Sequence, residues 1–262
     1  MSLFNHRIRY MLERVFNTVD TDIRTDYNLG VVVDENDYTS NLTGCVRKVI
    51  NKNLPLRATL FTQKVPGKFE RKWGVDACVI LIDNHFNRCK ICLFEAKSDT
   101  SNWDYTKPHR KTKTPLSHFS TQLARQALLP KKGVLIWEQF YSSQPNGLAV
   151  GNRSIYGSTC ILHKNAINYN GTHPNASVWG FSDIDHLATL QRSTKMGYLI
   201  RKVCECNYCD PINKQELKEF IKEGIPVNNI LIIESVKNGS NNEDIFQDIE
   251  LYRESISDVD VE

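Results

Sequence analysis

Two apolar runs stand back to back in WGVDACVILIDNHFNRCKICLFEAKSD, residues 73–99, and nothing else in the chain restricts its fold as tightly. A strand turns successive side chains to opposite faces. From Val75 to Ile82 both alternating sets are apolar, with Cys78, Ile80 and Ile82 on one and Val75, Ala77, Val79 and Leu81 on the other. Both faces of this strand must therefore be covered. The second run, Lys90 to Lys97, follows across DNHFNR, a polar turn of hairpin length. The pair reads as the middle of a sheet held between two layers, which points to an α/β architecture and away from a bundle or a repeat.

The flanking sequence supplies the layers. Phe4, Ile8, Met11, Leu12, Val15, Phe16 and Val19 recur at helical spacing and predict an amphipathic helix over residues 3–19. A second helix is expected over 36–50, with Leu42, Cys45, Val46 and Val49 inward and the acidic 34–37 segment at its start, where the helix dipole favours negative charge. Arg57 to Val65 is a further strand candidate. Beyond the Pro-containing loop from Ser98 to Pro115, SHFSTQLARQALL predicts a helix capped by Ser117, with Phe119, Leu123 and Ala127 on one face. A strand from Gly133 to Phe140 follows. The expected order is helices, a three-strand antiparallel meander, a crossover helix and another strand, αβββαβ, giving a central mixed sheet flanked by helices. Farther along, strands are expected at 158–163, 177–181 and 229–234, and helices within 183–206 and over 214–223. No linker-like composition divides residues 1–240, which read as one domain with C-terminal additions. The strongly acidic stretch 241–262 reads as a solvated, flexible tail.

With 40% hydrophobic and 24% charged residues the balance is that of a soluble globular protein. No signal-peptide pattern and no run of roughly 20 apolar residues is present, so a cytoplasmic protein without a membrane partner is expected. The formal charge of +3 conceals a local excess, because KPHRKTK at 107–113 is basic without an acidic residue. Among the eight cysteines, Cys89 and Cys92 lie along the second apolar run and suit core packing. Cys204, Cys206 and Cys209 invite a structural Zn²⁺, the lesser reading because no fourth ligand is identified. His118 and His163 have no evident partner and are assigned structural roles.

Chemistry concentrates at the ends of the apolar runs. Glu95 and Lys97 are two residues apart and share a face, while Ala96 points away. If the hairpin sets Asp76 beside them, two carboxylates and an ammonium meet at one sheet edge. Paired carboxylates are hard oxygen ligands suited to Mg²⁺, with Mn²⁺ able to substitute. The backbone carbonyl of Ala96 is a further candidate ligand. Lys97 is placed to orient or help deprotonate an attacking water, and to offset charge in a transition state.

Gly74-Val75-Asp76, the hairpin spacing and Phe94-Glu95-Ala96-Lys97 together resemble the D…ExK signature of the PD-(D/E)xK superfamily of nucleases, over roughly residues 35–140. Val75 stands where the motif's name has Pro. The resemblance implies a restriction-endonuclease-like core and a divalent-metal-dependent nuclease. DNA is favoured over RNA as the substrate, and the implied role is an endonuclease of restriction, defence or repair type. It also implies an acidic residue on the preceding helix as an additional metal or water ligand, for which Glu35 is preferred over Asp37 and Glu70, and a polar residue on the following helix, for which Gln122 fits. On this reading Lys107, Arg110, Lys111, Lys113 and Arg125 contact phosphates, and Trp103, Tyr105 and His109 offer rings to exposed bases. A homodimer is expected if both strands of a duplex are cut. The alternative is a catalytically inactive nucleic-acid-binding or scaffold protein with the same fold.

Overall fold

The computed structural model describes residues 2–65, 72–100, 102–108, 115–129, 132–172, 178–191, 194–237 and 242–257. Helices α1 (His6–Asn28) and α2 (Glu35–Asn53) precede strands β1 (Leu56–Thr62), β2 (Ala77–Asp83) and β3 (Arg88–Ser98). A two-strand ribbon, β4 (Thr106–Pro108) and β5 (Pro115–Ser117), leads into α3 (His118–Gln126) and β6 (Val134–Tyr141). The chain continues through β7 (Thr159–Leu162), α4 (His163–Thr172), α5 (Phe181–Gln191), α6 (Met196–Cys204), α7 (Lys214–Lys222), β8 (Asn229–Ser235) and α8 (Glu243–Ser257).

The apolar hairpin lies at the centre of a mixed six-strand sheet of order β1-β8-β2-β3-β6-β7. β2 and β3 pair antiparallel from Ala77↔Phe94 to Asp83↔Arg88, and Asn87 takes a positive φ of 51° in the turn, a conformation Asn tolerates better than most residues. Every residue of β2 is buried. One face of the sheet packs Ala77, Val79, Leu81, Cys92 and Phe94 against Leu12, Phe16, Leu42, Val46 and Ile200 of α1, α2 and α6. The other packs Cys78, Ile80, Ile82 and Leu93 against Leu217, Ile221, Ile245 and Ile249 of α7 and α8. Beside this second layer, Phe119 and Leu123 of α3 meet Phe140 and Ile161.

Four expectations need correction. The first three strands are not a meander, because β8 lies between β1 and β2, antiparallel to the one and parallel to the other. The sequence NILIIES is buried at every position, and only an interior place in the sheet covers it on both faces and both edges. Helix α1 runs nine residues past Val19 to Asn28. Its second half holds Asp20 and Arg24, which are fully buried rather than solvated. Asp20 accepts from the Ser158 N–H at 2.6 Å and from Tyr38 at 2.8 Å, and Arg24 Nη1 donates to the Gly157 carbonyl at 2.8 Å. Phe181 begins a helix rather than ending a strand. Residues 243–257, expected to be a flexible tail, form α8, whose Ile245, Ile249 and Ile256 are buried. The acidic residues occupy its outer face, and its apolar stripe closes the sheet's second layer. No described helix is long and apolar enough to cross a membrane.

Candidate active site

The chain enters β2 through Gly74, which takes a φ of +67°. A Cβ there would stand 3.3 Å from the Arg125 guanidinium and 3.5 Å from the Gln122 carbonyl. Glycine answers both demands, the left-handed backbone and the close approach of α3. Asp76 follows just outside the ladder. Its N–H donates to the Phe94 carbonyl at 2.9 Å and its Oδ2 accepts the Ala96 N–H at 2.7 Å. A strand residue turns its N–H and C=O to the same side, so the Ala96 carbonyl also faces the Asp76 side of β3.

Three further elements bring their side chains to this corner. Glu95 and Lys97 project from the same face of β3, with Lys97 Nζ 2.5 Å from Glu95 Oε1. Glu35 stands in the first turn of α2, behind the Asp34 cap, and its Oε2 lies 2.9 Å from Lys97 Nζ. Gln122 of α3 donates to Glu95 Oε1 at 2.5 Å, while its own Oε1 is buried without a hydrogen-bond partner among the described residues. Glu95 and Lys97 are only 2% and 7% exposed, so the charges interact through a poorly screened interior.

Burial raises the Asp76 carboxyl from an ordinary value of 3.8 to about 6, with Lys97 opposing the rise and Glu35 adding to it. Burial, and then the neighbouring Asp76, push Glu95 well above the usual carboxylate range. For Lys97, burial would depress the ammonium, but Glu95, Glu35 and Asp76 together outweigh it and hold the pKa well above ordinary. The three carboxylates thus favour the charged ammonium of Lys97, a donor and a countercharge among them.

The cavity around these groups has a volume of about 380 Å³. The carboxylates and Lys97 form one wall, and Tyr105, Lys107, His118 and Arg125 line it as well. Among the described residues no three or more His, Cys, Asp or Glu side chains stand at metal-binding spacing. Two carboxylates and a carbonyl are nevertheless the donor set that suits Mg²⁺, which retains waters and commonly takes only one or two carboxylates. The carboxylates of Asp76 and Glu95, with the Ala96 carbonyl, fit such an ion. Glu35 meets the site through Lys97.

Of the expected phosphate contacts, Lys107 and Arg125 line this cavity, whereas Arg110, Lys111 and Lys113, with His109 and Glu70, lie outside the described residues. Asp37 is turned away, accepting from Val33 and Asn41. The Trp103 ring is partly buried, packed edge-on against Phe119 and Phe140. Cys89 and Cys92 are fully buried among apolar neighbours. Cys204 is likewise in the core, while Cys209 Sγ lies 3.2 Å from Lys90 Nζ.

Two features escaped the sequence. His118 lines the cavity, stacked on Tyr105, and its only sequence signal is its place directly after the Ser117 cap. Behind the site, Gln126 donates to the Gly74 carbonyl at 2.6 Å and to Glu138 at 3.3 Å, and Glu138 lies 3.2 Å from His163 Nδ1. Glu138 pairs across β6 with Glu95, so two Glu–Gln contacts stand side by side under α3. Compared with known protein families, curated proteins and solved structures, the chain matches none of them.

Proposed function

We propose that this protein is a divalent-metal-dependent phosphodiesterase with a restriction-endonuclease-like core, acting on nucleic acid, with DNA the favoured substrate. The observation that carries the reading is the meeting of Asp76, Glu95 and Lys97, from two strands, in a single cavity with Glu35 and Gln122. A structural ion pair needs one acid and one base. Here three acids surround one lysine in an open cavity, and two of them are raised by burial, as expected of groups whose countercharge arrives with a ligand.

Asp76, Glu95 and the Ala96 carbonyl would hold the ion. When bound, Mg²⁺ or Mn²⁺ supplies concentrated positive charge that draws in a phosphodiester and stabilises the extra charge of its transition state. Lys97 sets its ammonium beside that growing charge and donates to it, at no cost in reorganisation because Glu35 and Glu95 already fix its position. Gln122 holds Glu95 with its amide N–H and keeps Oε1 to orient the attacking water. Lys107 and Arg125 attract the flanking phosphates. A homodimer would follow if both strands of a duplex are cut.

The test is incubation of purified protein with plasmid, linear duplex, single-stranded DNA and RNA in Mg²⁺ or Mn²⁺, with EDTA as the control. Metal-dependent cleavage, absent from folded Asp76→Ala and Lys97→Ala, is expected. Binding without cleavage of any substrate would instead support a catalytically inactive nucleic-acid-binding protein.

A further inference from the structure

The cavity wall that carries Tyr105 and His118 is built more firmly than a surface loop requires. The two rings stack with centroids 4.8 Å apart and planes 15° from parallel. They continue the β4–β5 ribbon, in which Thr106 faces Ser117, and the His118 N–H donates to the Tyr105 carbonyl at 2.8 Å. Asp104, only 4% exposed, ties the ring-bearing segments together. Its Oδ1 accepts from the N–H groups of Tyr105 at 2.8 Å and Phe119 at 3.0 Å. Its Oδ2 accepts from the Ser117 hydroxyl at 2.6 Å and the Trp179 N–H at 2.9 Å.

The same bonds anchor the buried Phe119 and Trp179, and from that anchored base Tyr105 projects with 45% of its surface exposed. Lys107 Nζ lies over the Tyr105 ring, 4.8 Å from its centroid, so a base that stacks on that face takes the place of the ammonium. Burial, followed by the nearby Lys107, Lys97 and Arg125, lowers His118 to about 4, so its ring is neutral in ordinary buffers and offers a flat π surface rather than a charge. A rigid aromatic pair beside cations and hard-oxygen ligands matches one nucleotide, with its base on the rings and its phosphate at the cation site of the carboxylates.

We propose that the Tyr105–His118 pair is a stacking platform for one unpaired nucleobase next to a phosphate at the cation site of Asp76 and Glu95, so that the substrate is a single strand or a flap rather than an intact duplex. This rests on the nuclease reading of the same cavity. A base within a duplex is already stacked on both sides and must be extruded to reach the platform, whereas a single strand presents it at little cost.

The test uses the full chain and oligonucleotides of one sequence carrying 2-aminopurine, as single-stranded DNA, single-stranded RNA and blunt duplex. Binding is read in Ca²⁺, a hard cation that oxygen ligands accept, and cleavage in Mn²⁺. Wild type should quench 2-aminopurine in a single strand and bind that strand at least about tenfold more tightly than the duplex. Tyr105→Ala should lose about five- to hundredfold in single-strand affinity, Tyr105→Phe should keep it, and His118→Ala should fall between them. Because Tyr105 is exposed, its variants should retain the wild-type melting temperature. Equal or tighter duplex binding, no binding, or full single-strand affinity in Tyr105→Ala would overturn the platform. If cleavage in Mn²⁺ still depends on Asp76 while Tyr105→Ala is indifferent, the platform fails and the nuclease reading stands. Quenching that depends on Tyr105, with no cleavage of any substrate, would support the platform as a binding site and overturn the nuclease reading.

Discussion

Lys97 Nζ lies 2.9 Å from Glu35 Oε2, a contact across 62 positions of sequence that joins the start of α2 to the end of β3. Glu35 therefore acts on the site by fixing the ammonium. Replacing Glu35 with Gln keeps the shape and removes the charge, and should lower cleavage by about tenfold to a hundredfold. Lys97→Met removes the countercharge itself and should cost about a hundredfold or more. Single-turnover rates on one substrate check both, and activity in Lys97→Met equal to that in Glu35→Gln would contradict the ordering.

Asp76 ties activity to instability. Its carboxyl titrates near 6 in the folded chain against an ordinary 3.8, so the folded state holds this proton more tightly than the unfolded state does. The contribution favours folding below about pH 3.8 and is lost as pH rises through about 6. Asp76→Asn should accordingly stabilise the metal-free protein by roughly 1–3 kcal/mol at pH 8 and hardly at all at pH 4. Thermal melts in EDTA at the two pH values check the sign.

The same proton competes with metal. Cleavage by wild type should decline as pH falls through about 6, because a protonated Asp76 is a poor ligand. A tenfold increase in Mg²⁺ should move the midpoint down by up to about one pH unit. A midpoint indifferent to metal concentration would assign the titration to some other group.

Gly74 and Gln126 set where Asp76 stands. In Gly74→Ala the added Cβ meets both a positive φ and the Arg125 guanidinium, a strain of about 1–2 kcal/mol. Gln126→Leu deprives the buried Gly74 carbonyl of its donor, at about 1–3 kcal/mol. Both variants should melt a few degrees lower yet lose activity more than tenfold, since a displaced ligand harms catalysis more than stability. Melting curves and rates on the same preparations separate the two effects.

Helix α8 is structural. Ending the chain at Asn242 would expose the surface that Ile245, Ile249 and Ile256 cover, each side chain contributing about 1.5–3 kcal/mol when buried. Their sum is comparable to the total stability of an ordinary domain, so the truncated chain should be unfolded or insoluble, as circular dichroism and sedimentation would show.

The parts of this fold legible in the sequence are those encoded locally. β2 and β3 declare themselves because both faces of each are apolar, and a hairpin of fixed length then brings Asp76 to Glu95 and Lys97. Glu35 reaches the same cavity from the first turn of α2 and Gln122 from the middle of α3, two helices that the flanking sequence marks. The place of β8 was not legible, because Arg57 and Glu234 meet across 177 positions and nothing nearby in sequence specifies the partner. Asp20 and Arg24 resemble surface residues, and only their buried hydrogen bonds explain why α1 continues past them. In α8 the isoleucines at 245, 249 and 256 keep helical spacing, but the surrounding acidic residues outweigh them in any reading by charge. His118 carries no local mark of its place beside Tyr105, which depends on the β4–β5 ribbon.

The proposed metal site is tested most directly by a Mn²⁺ titration of the metal-free protein at pH 8, with free Mn²⁺ followed by electron paramagnetic resonance. A saturable site in wild type is predicted, with affinity reduced at least about tenfold in Asp76→Asn and in Glu95→Gln, both verified as folded. Absence of any saturable binding, or full binding in the two variants, would contradict the assignment of this cavity as a metal-dependent active site.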